Sequence, residues 1–309
     1  MTISDLNEPD LLSRLRGNGL FWHIGPFVIR GRSSIDSVSR GLSFLYGDFP
    51  IADENEIVDT DFVVRRCGLM PTRFNIIVDG KLDFPRVERR MEMPIVEWAL
   101  NLNSFYGLHR YLAIHAAVVE RGGRVAIFPG DPGQGKSTLC AALISRGWRL
   151  LSDEVALIDP RDNSIVPVPR PINLKNRSIA LIRGFAPSAR FGPTWEKTIK
   201  GMVSHMLPPP ESVARANERA APGWLIFPAY TAEAEPLLQP LGRAESLVRA
   251  GNQALNYEFF GSRGFESLAN LLDESDCYEF CYSDLEQAVA ALDALTTSSA
   301  GISRHESSH

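Results

Sequence analysis

The chain lacks the long apolar runs that a membrane-spanning helix requires. No stretch of 18 or more apolar residues occurs among its 309 residues, whereas about 20 are needed to cross a bilayer as a helix. The first ten residues are acidic, whereas a secretory signal begins with basic and then apolar residues. We therefore expect a cytoplasmic protein that has no membrane partner.

The composition is also poor in the features of two other protein classes. The net charge is −5, and Arg and Lys are dispersed without a basic block, which argues against a nucleic-acid binder that neutralises phosphates. The four cysteines form no CxxC pair of the kind that zinc sites use, and we expect ordinary core thiols. With 44% apolar residues, the chain can form one large globular domain or two ordinary ones.

What the sequence does contain is a complete phosphate-binding motif, the Walker A pattern GxxxxGK[ST]. Gly130 is followed by four residues and then by Gly135, Lys136 and Ser137. A short apolar run precedes the motif and a helix-forming run follows it, as the pattern requires. The alternative is a glycine-rich turn that only joins a strand to a helix.

Each part of this loop has an expected role. The glycines allow successive backbone N–H groups to converge on a polyphosphate, and the first turn of the following helix adds its own unpaired N–H groups. Lys136 is expected to reach the β and γ phosphates, and the Ser137 hydroxyl to ligate Mg²⁺. The predicted phosphate-binding residues are Gly130, Asp131, Pro132, Gly133, Gln134, Gly135, Lys136, Ser137 and Thr138.

Two adjacent carboxylates, Asp153 and Glu154, interrupt the apolar run that follows the loop helix, where a Walker B acid would face the metal. Neighbouring residues on a strand point to opposite faces, so both can serve one site only if the backbone bends there. One could hold Mg²⁺ through water while the other takes a proton from an attacking hydroxyl. The alternative is an acidic strand end exposed to solvent.

His115 lies in an otherwise apolar run that precedes the strand of the loop. A polar ring in such a place needs a partner. A hydrogen bond to Asp153 would orient and stabilise that carboxylate. A core histidine whose hydrogen bonds are satisfied elsewhere is an equally good interpretation.

Taken together, these segments resemble a known family. His115 with the following Ala-Ala-Val, the loop from Gly130 to Ser137, and Arg-Gly-Trp-Arg-Leu-Leu-Ser-Asp-Glu at 146–154 resemble the catalytic core of HPr kinase/phosphorylase. The whole chain resembles the bacterial group called HPr kinase-related kinase A. The match to the core covers about residues 108–160, and its order and spacing make it specific.

The resemblance implies a mechanism and its participants. Asp153 takes the position of the catalytic base that activates a substrate serine, Glu154 that of the second acid near the metal, and His115 that of the histidine supporting the base. ATP and Mg²⁺ are the implied cofactors, and the implied partner is a small protein or peptide that carries the acceptor serine. A homo-oligomer is also possible on this basis.

The chain also departs from the family pattern. Glu154 replaces an Asp, and the signature Glu-Ile-Arg-Gly-x-Gly is represented only by 181–186, without its Glu. These departures weaken the inference of phosphorylase activity and of HPr as the acceptor. Segments typical of the related group supply three secondary candidates, Lys175, Lys200 and His205, although Lys200 can equally be a solvated lysine on a loop.

The predicted fold is α/β. A P-loop kinase core of the HPr kinase type occupies 107–296, an N-terminal α+β accessory region occupies 1–106, and 297–309 is a disordered polar tail. The stretch 199–223 is predicted to be a loop. The predicted function is an ATP- and Mg-dependent serine kinase; the alternative is a non-kinase nucleotide-binding switch or regulatory ATPase.

Overall fold

The computed structural model describes residues 1–68, 70–106, 110–198 and 200–302. The fold is mixed α/β. In chain order its elements are a 3₁₀ turn (Ile3–Asp5), α1 (Glu8–Arg16), β1 (Leu20–Ile24), β2 (Phe27–Ser33), α2 (Asp36–Tyr46), β3 (Thr60–Cys67), β4 (Met70–Val78), β5 (Lys81–Glu88), α3 (Glu92–Tyr106), β6 (Leu112–Ile114), β7 (Ala116–Arg121), β8 (Arg124–Pro129), α4 (Lys136–Ile144), β9 (Arg149–Ser152), β10 (Ala156–Ile158), β11 (Ile165–Val166), β12 (Ile172–Lys175), α5 (Arg177–Phe185), β13 (Phe191–Thr198), β14 (Gly201–Met206), α6 (Pro210–Ala214), β15 (Ala221–Tyr230), β16 (Leu237–Pro240), α7 (Arg243–Gly251), α8 (Tyr257–Phe260), α9 (Ser262–Asp273), β17 (Asp276–Tyr282) and α10 (Leu285–Ile302).

Backbone contacts divide the chain into two compact units. Unit 1 consists of Met1–Leu108, Val168–Ala180 and Ala189–Asn217, and unit 2 consists of His109–Pro167, Leu181–Ser188 and Glu218–His309. This division differs from the predicted one, which kept 107–296 together as one catalytic domain. Two segments inside that range belong to unit 1, so the chain passes between the units several times.

Unit 1 contains two sheets. The larger has the strand order β1-β2-β3-β4-β5, in which β2 and β3 are parallel and the other neighbours are antiparallel. Helix α3 packs against β3, β4 and β5, and its residues Met93, Val96 and Leu100 are buried. The smaller sheet is antiparallel, with the order β12-β14-β13.

A buried ion pair joins the late segments of unit 1 to its N-terminal part. The Arg170 guanidinium donates to the Glu97 carboxylate at 3.0 Å and to the Tyr46 hydroxyl. The Arg170 and Glu97 side chains are only 7% and 4% exposed. Burial raises the pKa of the Tyr46 hydroxyl well above its usual range, so the phenol stays neutral beside the pair. A buried charge requires a partner of this kind, which explains why the segment containing Arg170 belongs to unit 1.

Unit 2 is built on a six-stranded mixed sheet with the order β16-β17-β15-β8-β7-β9. Strands β7 and β8 are buried almost throughout, as expected when both faces of a sheet are covered. Helix α4 packs on β7 and β9, and α10 packs on α4 and β17. Val118 and Ile127 belong to a core cluster with Leu268 and Leu271 of α9.

A small antiparallel sheet of unit 2, with the order β11-β10-β6, continues two strands of the large one. Strand β6 leads into β7 through His115, and β9 leads into β10 through 153–155. Both changes of sheet occur at the same level, because Ile114 pairs with Ala156 on one side and Val118 with Ser152 on the other. His115 and the two adjacent carboxylates therefore lie at neighbouring breaks.

Two sequence predictions are wrong in part. The stretch 199–223, predicted to be a loop, contains β14 and α6, because Val203, Met206 and Val213 have apolar side chains that are buried. Helix α10 continues through 297–302, which was assigned to the tail, and the Thr296 and Thr297 hydroxyls bond to carbonyls three residues earlier in it. Residues 303–309 lie outside the described part of the chain.

The cysteines and the helices can be compared with two further expectations from the sequence. All four cysteines are free; Cys140 and Cys277 are buried, and Cys67 and Cys281 are half-buried. In the part of the chain that the structure describes, no helix combines the length and apolarity needed to cross a bilayer.

The buried ion pair of unit 1 gives a stability prediction. Arg170→Ala should lower the free energy of unfolding by about 3–5 kcal/mol, because it leaves the Glu97 carboxylate buried without its cation. Urea denaturation followed by circular dichroism measures the change. Arg16→Ala is the matched control, since Arg16 pairs with Asp36 at 3.2 Å on the surface, and its loss should change the free energy by less than about 1 kcal/mol. Equal losses in the two variants would contradict the prediction.

Candidate functional site

The direction of four strands brings the predicted site residues to one edge of the large sheet. Strands β8, β15 and β17 are parallel, and β9 shares their direction because both β8 and β9 are antiparallel to β7. The carboxyl ends of these strands therefore meet at the same edge, and β7 begins there. Ligands of open α/β sheets bind at this edge.

The phosphate-binding loop joins the end of β8 to the start of α4, as the sequence predicts. Gly130, Gly133 and Gly135 have φ angles of 154°, 97° and 90°, which side chains rarely allow. A Cβ at Gly135 would lie 2.7 Å from the hydroxyl oxygen of Tyr282, whereas one at Gly133 would meet nothing within 4 Å. Tyr282 thus leaves no room for a side chain at Gly135, whereas the space around Gly133 is empty.

Lys136 crosses the base of the loop. Its ammonium donates to the carbonyl oxygens of Gly130 and Asp131, and the residue is only 6% exposed. Ser137 and Thr138 follow it in the first turn of α4 and are half-buried, while 131–134 is exposed. The loop therefore presents its outer backbone to solvent, with a cation and the helix N-terminus behind it, an arrangement suited to a polyphosphate.

The backbone bends after β9, as the joint use of the two carboxylates requires. The Ser152 hydroxyl accepts hydrogen bonds from the N–H groups of Glu154 and Val155, at 3.4 and 3.2 Å. Asp153 is 4% exposed, and the Glu154 side chain is 31% exposed. Asp153 is therefore not a solvated strand end, and the two neighbours occupy different environments.

The Asp153 carboxylate lies close to the helix that the loop begins. The pKa of the Cys140 thiol is raised well above its usual range, first by burial and then by the negative charge of Asp153. Cys140 lies one turn after Lys136 in α4, so Asp153 acts on a side chain of the helix that begins at the loop. Strand β7 separates β8 from β9, which puts the ends of these strands about 10 Å apart.

His115 contacts the neighbouring acid at the same level. Its Nδ1 lies 3.0 Å from the backbone oxygen of Glu154 and 3.9 Å from the Glu154 carboxylate. The backbone N–H of His115 donates to the backbone oxygen of Gln253 at 2.8 Å. The imidazole thus holds the bend that carries the two acids. The predicted hydrogen bond between His115 and Asp153 stays a prediction.

A segment that no sequence pattern marks also adjoins the site. The Gln253 amide donates to the Asp131 carboxylate at 3.0 Å, and Asn256, which is buried, accepts from the Ala113 N–H and donates to the Tyr111 oxygen. Gln253 thereby connects the phosphate-binding loop with His115. These partners are more than 100 residues apart, and no local pattern marks them.

Two tyrosines at the same edge were also missed. Tyr230 ends β15 and Tyr282 ends β17, and the two residues pair in register. The Tyr282 hydroxyl lies 3.5 Å from the Gly135 oxygen. The apolar runs of both strands are visible in the sequence, but only the sheet order shows that their ends adjoin the loop.

The three secondary candidates lie in unit 1, whereas the loop lies in unit 2. Lys175 ends β12, and its N–H donates to the Ser178 hydroxyl. Lys200 and His205 line a cavity of about 300 Å³ together with Trp98, and the Lys200 ammonium lies 5.5 Å from the centre of the Trp98 ring. Unit 2 therefore contains the loop together with Asp153, Glu154 and His115, whereas Lys175, Lys200 and His205 belong to unit 1.

The side-chain oxygens at this sheet edge fit Mg²⁺ that is bound together with a nucleotide. Among the described residues, no group of three or more His, Cys, Asp or Glu side chains could hold a metal ion. Mg²⁺ usually takes one or two protein oxygens and completes its shell with substrate phosphates and water. The Ser137 hydroxyl and the Glu154 carboxylate, at the same sheet edge as the loop, are oxygen ligands of that kind.

The constraint at Gly135 can be tested directly. Gly135→Ala should weaken Mg-ATP binding roughly ten-fold or more, because the φ angle of 90° disfavours Ala and the buried Tyr282 leaves no room for the methyl group. Isothermal titration calorimetry measures the Kd. Gly122→Ala is the control. Gly122 has a φ of 62° in the hairpin turn between β7 and β8, with open space around it, so this variant should bind Mg-ATP as the wild type does. Normal binding by the Gly135 variant would refute the constraint.

Comparisons with known proteins leave the chemistry to be inferred from the site itself. No protein-family model matches the chain, and no curated protein matches its sequence.

Proposed function

We propose that the chain is an ATP- and Mg-dependent kinase that transfers the γ-phosphoryl group to a serine hydroxyl of a small protein or peptide. The observation that carries the proposal is the position of Asp153. Its carboxylate is buried at the same sheet edge as a complete phosphate-binding loop, and its negative charge contributes to the raised pKa of the Cys140 thiol in the helix that the loop begins. A nucleotide binder needs only the loop, whereas a kinase also needs an acid that faces the acceptor.

The loop supplies the donor side of the reaction. Its backbone N–H groups and the Lys136 ammonium would bind the β and γ phosphates, where negative charge is greatest. Bound Mg²⁺ would neutralise further charge there, with Ser137 and Glu154 as its protein ligands. Catalysis of phosphoryl transfer depends mostly on such positioning and electrostatic stabilisation.

Asp153 supplies the acceptor side. It would orient the serine hydroxyl in line with the γ phosphorus and accept its proton as the new O–P bond forms and the bond to ADP breaks. The separation of about 10 Å between the ends of β8 and β9 leaves space for a phosphoryl group and a hydroxyl between the loop and the carboxylate. His115 would act as a positioning residue, because it holds the backbone oxygen of Glu154.

The choice of acceptor rests on the resemblance to the HPr kinases and their related group. The order and spacing of His115, the loop and Asp153-Glu154 resemble the catalytic core of that family, with Glu154 in place of its second Asp. A serine on a small protein or peptide is the acceptor that this pattern implies. The protein can be incubated with γ-labelled ATP, Mg²⁺ and the proteins encoded beside its gene, and mass spectrometry can then locate any new phosphate. Phosphate released only to water would favour a regulatory ATPase instead.

Lys136→Ala should reduce nucleotide-dependent turnover by roughly 10²-fold or more, because the variant loses the cation that stabilises charge on the transferred group. Release or transfer of labelled phosphate measures the rate, and circular dichroism checks that the fold is kept. Lys81→Ala serves as the control, since Lys81 begins β5 of unit 1 and its loss should leave the rate unchanged. Turnover equal to wild type in the Lys136 variant would remove the loop from the mechanism.

Asp153→Asn should keep ATP binding and lower phosphoryl transfer by about 10²- to 10⁴-fold, the usual contribution of a general base. Asn preserves the shape of the side chain but cannot accept the proton. Calorimetry gives the Kd, and label transfer to the acceptor gives the rate. The control is Asp162→Asn, which changes an exposed carboxylate of unit 2 and should leave both quantities unchanged. Full activity of the Asp153 variant would show that another base operates.

A further inference from the structure

An exposed aromatic side chain lies beside the phosphate-binding loop. Tyr230 is 59% exposed, although most of β15 before it is buried. Its Cβ is 3.9 Å from the position that a Cβ on Gly135 would occupy. A large, half-apolar ring is therefore open to solvent at the sheet edge that carries the loop.

Strands β15 and β17 extend past the strand that leads into the loop. Leu225 pairs with Ile127, so continuing this register puts Phe227 level with Pro129, the last residue of β8. The last three residues of β15 therefore lie beyond the end of β8 and rise about 10 Å along the loop. Tyr230 is at the top of this extension.

The position of the Tyr230 ring is supported from below. It packs edge-to-face on Tyr282, with ring centres 6.1 Å apart and an interplanar angle of 81°. Tyr282 is 2% exposed and stacks on Phe280 at 5.2 Å. The backbone N–H of Thr231 also donates to the backbone oxygen of Tyr282 at 2.9 Å. The Tyr230 ring thus has a rigid base, while more than half of the residue's surface is open.

The two ends of a bound nucleotide are distinguished by the strand order. Asp153 follows β9, on one side of β8, and Tyr230 ends β15, on the other side. A triphosphate that presents its terminal phosphorus to Asp153 therefore directs its nucleoside towards β15. We propose that Tyr230 is the stacking platform for the purine base of the donor nucleotide, an inference that rests on the proposed function.

This role predicts how the site selects its donor. Stacking depends on the area of the base and does not read its hydrogen-bonding edge. Tyr230 would thus favour ATP or GTP over a bare triphosphate without discriminating between the two purines. The loop and Lys136 would hold the triphosphate in either case.

The test compares Mg-ATP with Mg-bound inorganic tripolyphosphate by isothermal titration calorimetry. Tyr230→Ala should raise the Kd for ATP about 5- to 150-fold, the usual effect of removing an aromatic ring from a base, and leave the Kd for tripolyphosphate unchanged. Tyr230→Phe should bind ATP almost as wild type. Phe265→Ala, which removes an exposed ring from α9, is the matched control and should bind both ligands normally.

The outcomes separate this inference from the proposed function. Wild-type protein that binds neither ligand would overturn both. If wild type and Tyr230→Ala bind ATP equally, the platform is wrong while the kinase proposal stands. A Tyr230→Ala variant that loses affinity for ATP and tripolyphosphate alike would show that Tyr230 only supports the loop, which also overturns the platform.

Discussion

The site depends on one local constraint, the bend at which β9 leaves the large sheet. The Ser152 hydroxyl accepts hydrogen bonds there from two backbone N–H groups. From the neighbouring strand, the Ala116 N–H donates to the backbone oxygen of Glu154. An unbent strand would send Asp153 and Glu154 to opposite faces of the sheet. With the bend, both acids lie at the carboxyl edge, where the loop follows β8. His115, between β6 and β7, contacts the same segment.

The bend also gives the two acids different surroundings. Asp153 is buried, and its charge acts on Cys140 in α4, whereas Glu154 is partly exposed beside the His115 ring. Adjacent residues with distinct environments can perform distinct tasks, one facing an acceptor and the other a metal. The strand order adds a second asymmetry, because the acids lie on one side of the loop and Tyr230 on the other. Together these features give the edge a direction along which a nucleotide can lie.

The division into units illustrates a limit of reading a chain by segments. Residues 168–180 and 189–217 follow the phosphate-binding loop in sequence, yet they belong with the N-terminal part. The reason is visible at Arg170, whose buried charge is satisfied by Glu97. A charge in an apolar run shows that a partner exists, but its identity depends on a contact 73 residues away. Lys200 and His205, which the sequence marked as candidates for the site, also belong to unit 1.

The sequence by itself determined that a glycine-rich loop joins a strand to a helix, and it determined the mixed α/β character. Both follow from local rules: glycines at fixed offsets, a strand before them and a helix after them. It also marked the acids and the histidine as candidates. Only the tertiary structure decided that these residues share one edge, that Gln253 and Tyr230 adjoin the loop, and that 168–180 belongs to unit 1. Those facts arise from strand order and from pairing between residues far apart in the chain, which local residue patterns do not encode.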